Sequence, residues 1–257
     1  MDFILVKFLK NMIKAINIKP EIAAKAEKSG AKKETVSIIG LGYVGLPLAL
    51  TAAKKGYKVY GIDINKEKVD MVNKGQSPFK DELAEAELKE GTTMTATTDL
   101  AKVKESDIVV ICVPTPVYEN HMPDLRPVEG ACRGIAPFMK KGQLIILEST
   151  VNPGVCEDIM LPILEKESGM KGGVDFYLAH CPERINPGDK RWNVTNIPRV
   201  VGSLEKIGLE KALAFYRSII SGEIKPMGSL KEAESVKVVE NSFRDINIAF
   251  VNELAMS

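Results

Sequence analysis

The sequence predicts an α/β fold, a doubly wound Rossmann-like parallel sheet followed by one long helix. Three observations predict it. Short apolar, β-branched runs alternate with segments of helical spacing from residue 35 onward. A glycine-rich turn falls directly between the first such strand and the first such helix. The last segment, 230–257, steps its apolar residues by three or four and contains neither glycine nor proline.

Taken in order, residues 36–39 form the first apolar run, and 44–55 carry helical spacing. Lys58–Ile62 is again β-branched, and the apolar runs 108–113 and Leu144–Leu147 read as buried parallel strands. Segments 176–178 and 199–201 give weaker strand signals. Helical spacing returns at Lys66–Asn73, 128–139, 155–167 and 204–220. This divides the chain into an extension (1–33), a dinucleotide-type domain (34–226) and the start of a long helix (227–257). In that helix Val236, Val239, Phe243, Ile246, Phe250 and Leu254 form one apolar stripe. No stop signal precedes the last residue, so the expectation is a helix that continues past it.

In the extension, Phe3, Ile4, Leu5, Phe8, Leu9, Met12, Ile13 and Ile16 recur at helical spacing between Lys7, Lys10 and Lys14. That pattern predicts a basic amphipathic helix, and the lysines interrupt any signal-peptide core. It packs on its own protein or a partner, or lies on a membrane surface.

The totals exclude several classes. With 35 basic and 34 acidic residues the net charge is +1, without the clustered basic surface that nucleic acid requires. No run of 18 apolar residues exists to span a membrane. Cys112, Cys132, Cys156 and Cys181 lie at least 20 residues apart without a CxxC pair, which argues against a metal or disulfide framework and for a reducing cytoplasm.

Gly40-Leu-Gly42-Tyr43-Val44-Gly45 has the context that a lone GxGxxG lacks. The first glycine permits the tight turn, the second lets backbone approach a pyrophosphate, and the third lets helix and strand pack closely. Asp63 ends the second strand 18 residues past Gly45, where a carboxylate accepts from ribose hydroxyls and disfavours a 2′-phosphate. NAD is therefore the expected cofactor, although Lys66 and Lys68 follow closely and similar turns serve FAD or an S-adenosyl group.

In a doubly wound sheet, ligands sit beyond the carboxyl ends of the strands. Three loops belong there. Pro114 and Thr115 lie in Val-Pro-Thr-Pro (113–116), an open loop suited to pass beneath a nicotinamide, or a plain strand-ending turn. Thr150 lies in Glu-Ser-Thr-Val (148–151), whose hydroxyls bind water or substrate, or else cap the next helix as Ser149, Thr150 or Asn152. Glu183, Arg184 and Asn186 fall in a proline-bracketed polar loop, as a general base with its neighbours or as a surface salt bridge. His180 beside Cys181 is a poor metal pair. Lys237 and Asn241, four residues apart, share one flank of the last helix, about 40° apart in projection. There they stabilise a developing oxyanion or face solvent.

Read together, the strings at 40–48, 113–116, 148–151, 182–190 and 240–253 resemble the UDP-glucose/GDP-mannose dehydrogenase family, and cover essentially everything from Thr35 onward. Pro-Glu-Arg-Ile-Asn-Pro-Gly resembles its N-acetylhexosamine branch; UDP-glucose enzymes carry Pro-Glu-Phe-Leu there, with a second glutamate at the position of Pro187. The resemblance implies two hydride transfers to NAD⁺ that oxidise the C6 hydroxyl of a UDP-N-acetylhexosamine to a uronate, a surface-polysaccharide precursor. It implies that Glu183 activates water for thioester hydrolysis, Thr150 positions that water, and Lys237 and Asn241 hold the C6 oxygen. Arg184 and Arg244 join the substrate set. It also implies a homodimer through the long helix.

One departure stands out. The family nucleophile is a cysteine in a Gly-Gly-rich loop beyond the central helix, followed by a second Rossmann-like domain that binds UDP. None of the four cysteines here has that context, so the expectation is a cofactor-binding half that does not complete the reaction alone. The alternatives are a non-catalytic NAD-binding protein or another NAD enzyme with a long helix after its Rossmann domain.

Overall fold

The computed structural model describes residues 34–184 and 193–257; the amphipathic pattern at 1–33 and Asn186 lie outside them. The described residues form an eight-stranded sheet. Its strands are β1 (Thr35–Ile39), β2 (Lys58–Ile62), β3 (Thr95–Thr97), β4 (Ile108–Ile111), β5 (Leu144–Leu147), β6 (Tyr177–His180), β7 (Arg199–Ser203) and β8 (Ile224–Pro226). Their order is β3-β2-β1-β4-β5-β6-β7-β8. The first six run parallel in the doubly wound order, with the switch between β1 and β4.

The strands are apolar throughout because both faces are covered. Every residue of β4 and β5 is buried. Leu46, Leu50, Ala212 and Phe215 pack in the core on one face, and Val128, Ile135, Met160 and Leu164 in the core on the other. The helices are α1 (Gly45–Lys54), α2 (Lys66–Asn73), α3 (Glu82–Glu90), α4 (Arg126–Ile135), α5 (Leu161–Ser168), α6 (Lys206–Ile219) and α7 (Leu230–Met256). Asn65 and Asp81 cap α2 and α3 through their side-chain oxygens.

Sequence and structure differ at identifiable places. β7 pairs antiparallel with β6, so the sheet is mostly rather than wholly parallel. A short apolar run does not reveal its direction. The segment 155–167 divides into a π-turn, Cys156–Met160, and α5, which starts with Pro162 in its first turn. β3, β8 and α3 carry too little apolar periodicity to be read from sequence. No helix among the described residues is long and apolar enough to cross a membrane.

Candidate active site

The carboxyl ends of β1, β2, β4, β5 and β6 deliver the loops of interest to one edge of the sheet. At β1, Gly40 adopts φ +98°. A Cβ there would lie 2.8 Å from the Cys112 carbonyl oxygen, and one on Gly45 would lie 1.9 Å from the Gly40 oxygen. A Cβ on Gly42 would meet nothing within 4 Å. Two glycines are thus required by packing, and the middle one leaves backbone open to a ligand. α1 begins behind this turn with no capping side chain and no acid in its first turn, so its positive end is available to phosphate. Tyr43 is exposed and stacks on Phe79, with ring centroids 4.2 Å apart.

Asp63 is buried at the end of β2. Its Oδ2 accepts from the Leu41 amide at 2.8 Å and its Oδ1 from the Asn65 amide at 2.9 Å. The carboxylate therefore braces the glycine turn. Lys68 approaches Asp63 to 3.8 Å, while Lys66 pairs with Asp70. These features fit the adenosine and pyrophosphate of NAD.

The loops after β4 and β5 are stitched together. Thr115 Oγ1 donates to the Thr150 carbonyl at 2.7 Å, and Ser149 Oγ to the Val113 carbonyl at 2.6 Å. Thr150 and Pro114 are exposed at this edge, and Val44 is half-buried. The cap of the following π-turn comes from elsewhere. Buried Glu234, on α7, accepts from the amides of Gly154 (2.6 Å) and Cys156 (2.8 Å). Capping by Ser149, Thr150 or Asn152 is not how this turn is held.

After β6, Glu183 is buried rather than a surface ion pair, and its amide donates to the Glu148 carbonyl at 3.5 Å. Arg184 makes the ion pair: its Nε donates to Glu240 at 2.9 Å, its Nη2 to the same carboxylate, and its Nη1 to the Pro198 carbonyl at 3.0 Å. Lys237 is buried on α7; burial lowers its ammonium pKa, opposed by the charges of Glu183 and Glu240. Asn241, one turn on, is exposed and lines a shallow concavity with Arg244 and Asp245. Lys237 and Asn241 thus share a flank but not an environment.

Beneath these loops lies a charged cluster that sequence reading missed. Arg199 Nη1 donates to Glu148 Oε1 at 2.8 Å, with both side chains fully enclosed. Tyr216 of α6 donates to the same oxygen at 2.7 Å, and Cys112 Sγ lies 3.9 Å from Glu148 Oε2. Burial raises the Glu148 pKa against the opposing pull of Arg199.

Burial also pushes the thiols up, those of Cys132 and Cys181 to about 12, and those of Cys112 and Cys156 well above the ordinary thiol value. None presents a ready thiolate. His180 is wholly buried, and burial lowers its imidazole pKa to about 3.

Residues 34–220 match the model of the UDP-glucose/GDP-mannose dehydrogenase family, NAD binding domain. The chain is 42 % identical over 222 residues to a UDP-N-acetyl-D-glucosamine 6-dehydrogenase of Pseudomonas aeruginosa, covering 86 % of this chain and 52 % of the relative. It is 38 % identical over 224 residues to a UDP-N-acetyl-D-mannosamine dehydrogenase of Pyrococcus horikoshii, covering 86 % and 53 %. Among solved structures, the UDP-D-ManNAc dehydrogenase of Pyrococcus horikoshii superposes with a TM-score of 0.81 at 38 % identity, over 86 % of this chain and 53 % of that one. A ternary complex of GDP-mannose dehydrogenase from Pseudomonas aeruginosa gives 0.79 at 32 %, over 85 % and 51 %. The chain spans about half the length of the curated relatives it matches. A glycine turn with open backbone at Gly42, a buried carboxylate at the end of β2 and this match over most of the chain lead to one conclusion: the chain belongs to the UDP-glucose/GDP-mannose dehydrogenase family and carries its NAD-binding domain.

Proposed function

We propose that this chain is the cofactor-binding half of an NAD-dependent nucleotide-sugar 6-dehydrogenase, oxidising the C6 hydroxyl of a UDP-N-acetylhexosamine to the carboxylate. The observation that carries this reading is the burial of Glu183 beside Lys237 at the edge where the loops after β4 and β5 meet. A carboxylate and an ammonium enclosed together next to a dinucleotide site suit proton removal and stabilisation of oxygen charge.

Bound NAD⁺ supplies the hydride acceptor. Lys237 and Asn241 hold the C6 oxygen as it gains charge, and Glu183 takes a proton from the water that hydrolyses the thioester. Thr150, tied through its carbonyl to Thr115, orients that water. Arg244 contacts the sugar nucleotide from α7, and Arg184 acts through its grip on Glu240 and on the Pro198 carbonyl. The thioester nucleophile lies outside the four buried cysteines. The exposed row Val239, Phe243, Ile246, Phe250 and Leu254 is the surface for a second copy, and four free thiols suit a reducing cytoplasm.

Saturation-transfer NMR with NADH present tests the substrate class. Contact of the acetyl methyl of UDP-GlcNAc, UDP-GalNAc or UDP-ManNAc with the chain, lost in K237A, is expected. Equal transfer to UDP-glucose, unchanged in K237A, overturns it. Steady NADH production with any of these sugars would return the nucleophile to one of the four cysteines. Sedimentation tests the second copy, and a monomer at every concentration would reject it.

A further inference from the structure

The buried residues of α7 are Leu230, Ala233, Glu234 and Lys237, one stripe along its first two turns. Leu230 packs in the core, and Ala233 lies against Gly202 of β7, where a Cβ would come within 2.8 Å of it. The other two are charged. Glu234 is wholly enclosed, and both of its oxygens are engaged: Oε2 accepts from the Gly154 amide at 2.6 Å and Oε1 from the Cys156 amide at 2.8 Å. Lys237 follows one turn later on the same face.

The first amides of such a turn are ordinarily capped from within, by a short neutral side chain. Ser149, Thr150 and Asn152 are of the capping type and adjacent in sequence. Yet Ser149 donates to the Val113 carbonyl, and Thr150 and Asn152 are exposed. An enclosed carboxylate is a costlier way to satisfy two amides than a hydroxyl, so capping alone does not account for it. What the distant carboxylate adds is a fixed relation between two elements. The loop after β5 is held upstream by the Thr115 hydroxyl on the Thr150 carbonyl, and downstream by Glu234 on Gly154. Val151, Asn152 and Pro153 lie between these holds. The outer ion pairs joining the same elements, Lys231 to Glu157 at 3.3 Å and to Asp158 at 3.9 Å, are open to solvent and add little.

We propose that Glu234 is a positioning residue for the nicotinamide end of the cofactor site. Holding Gly154 and Cys156 from the turn of α7 that carries Lys237, it sets where the 150–153 loop stands relative to that ammonium. This rests on the reading of the 113–116 and 148–151 loops as the nicotinamide side, which T150A tests by itself.

Calorimetry with NADH and with ADP-ribose, which lacks the nicotinamide, separates positioning from simple stabilisation. In folded E234Q, NADH affinity is expected to fall about tenfold while ADP-ribose stays within about twofold. E234D keeps the charge on a shorter stem. It should show the same selectivity with a smaller loss, and it carries the test if E234Q does not fold. A merely structural Glu234 would weaken both ligands equally or neither, and either result in a folded variant overturns the assignment. Selective loss in E234Q with none in T150A removes Thr150 from the nicotinamide and leaves Glu234 in place; the reverse removes Glu234.

Discussion

The two halves of the nucleotide edge are built on different principles. On the β1–β3 side the site is made of backbone: glycines whose missing Cβ atoms allow close approach, and a carboxylate that accepts from main-chain amides. On the β4–β7 side it is made of enclosed charge contributed by Glu148, Glu183, Arg199 and Lys237. Shape governs the first half and electrostatics the second, so different perturbations should damage each.

The largest effect is expected where a buried charge loses its partner. R199M strands Glu148 and should cost about 4 kcal/mol in chemical denaturation, with much of it regained in E148Q/R199M. No recovery in the double variant would mean that Arg199 acts through packing alone. Next is G45V on the opposite side, where the new Cβ collides with the Gly40 carbonyl. It should cost about 3 kcal/mol and abolish calorimetric NAD⁺ binding, with no dependence on pH.

Acid sharpens the contrast. His180 is held neutral in the folded chain down to about pH 3, whereas an unfolded histidine takes up its proton near 6.5. Its contribution is complete above pH 6.5 and is lost as pH falls toward 3, about 2 kcal/mol by pH 5. H180F should flatten that limb of the stability curve; an unchanged limb would exclude His180 as its source. The smallest effect is D63N. It keeps an acceptor for the Leu41 amide but loses the charge, and should weaken NAD⁺ about tenfold with little change in thermal midpoint. NADP⁺ affinity measured alongside shows whether Lys68 then draws a 2′-phosphate.

The same contrast explains what was legible in the sequence. The glycine turn is a six-residue pattern whose requirements are met within a few positions: Gly40 has a positive φ, Gly45 has no room for a Cβ and Gly42 leaves open backbone. The buried cluster has no local signature. Glu148 meets Arg199 across 51 positions and Tyr216 across 68, and each alone reads as an ordinary strand end or helix residue. Arg184 and Glu183 were read as one polar loop. The fold separates them, turning one to Glu240 and enclosing the other. Glu234 looked like any acid on a helix face, because sequence spacing cannot show that two amides 80 and 78 positions away lack another cap. Strand polarity at β7 was hidden for a similar reason. Direction is set by where the preceding loop returns the chain, not by the side chains of the strand.

Glu234 gives α7 a lever. One carboxylate in its second turn grips the turn that follows Thr150, while from Val238 onward the helix projects largely exposed side chains. A docked subunit or domain that tilts the far end would therefore pull on the peptide groups at 154 and 156, and through them on the rim of the dinucleotide cleft. Assembly and cofactor grip would then be mechanically linked, without any residue of the distant surface touching the ligand.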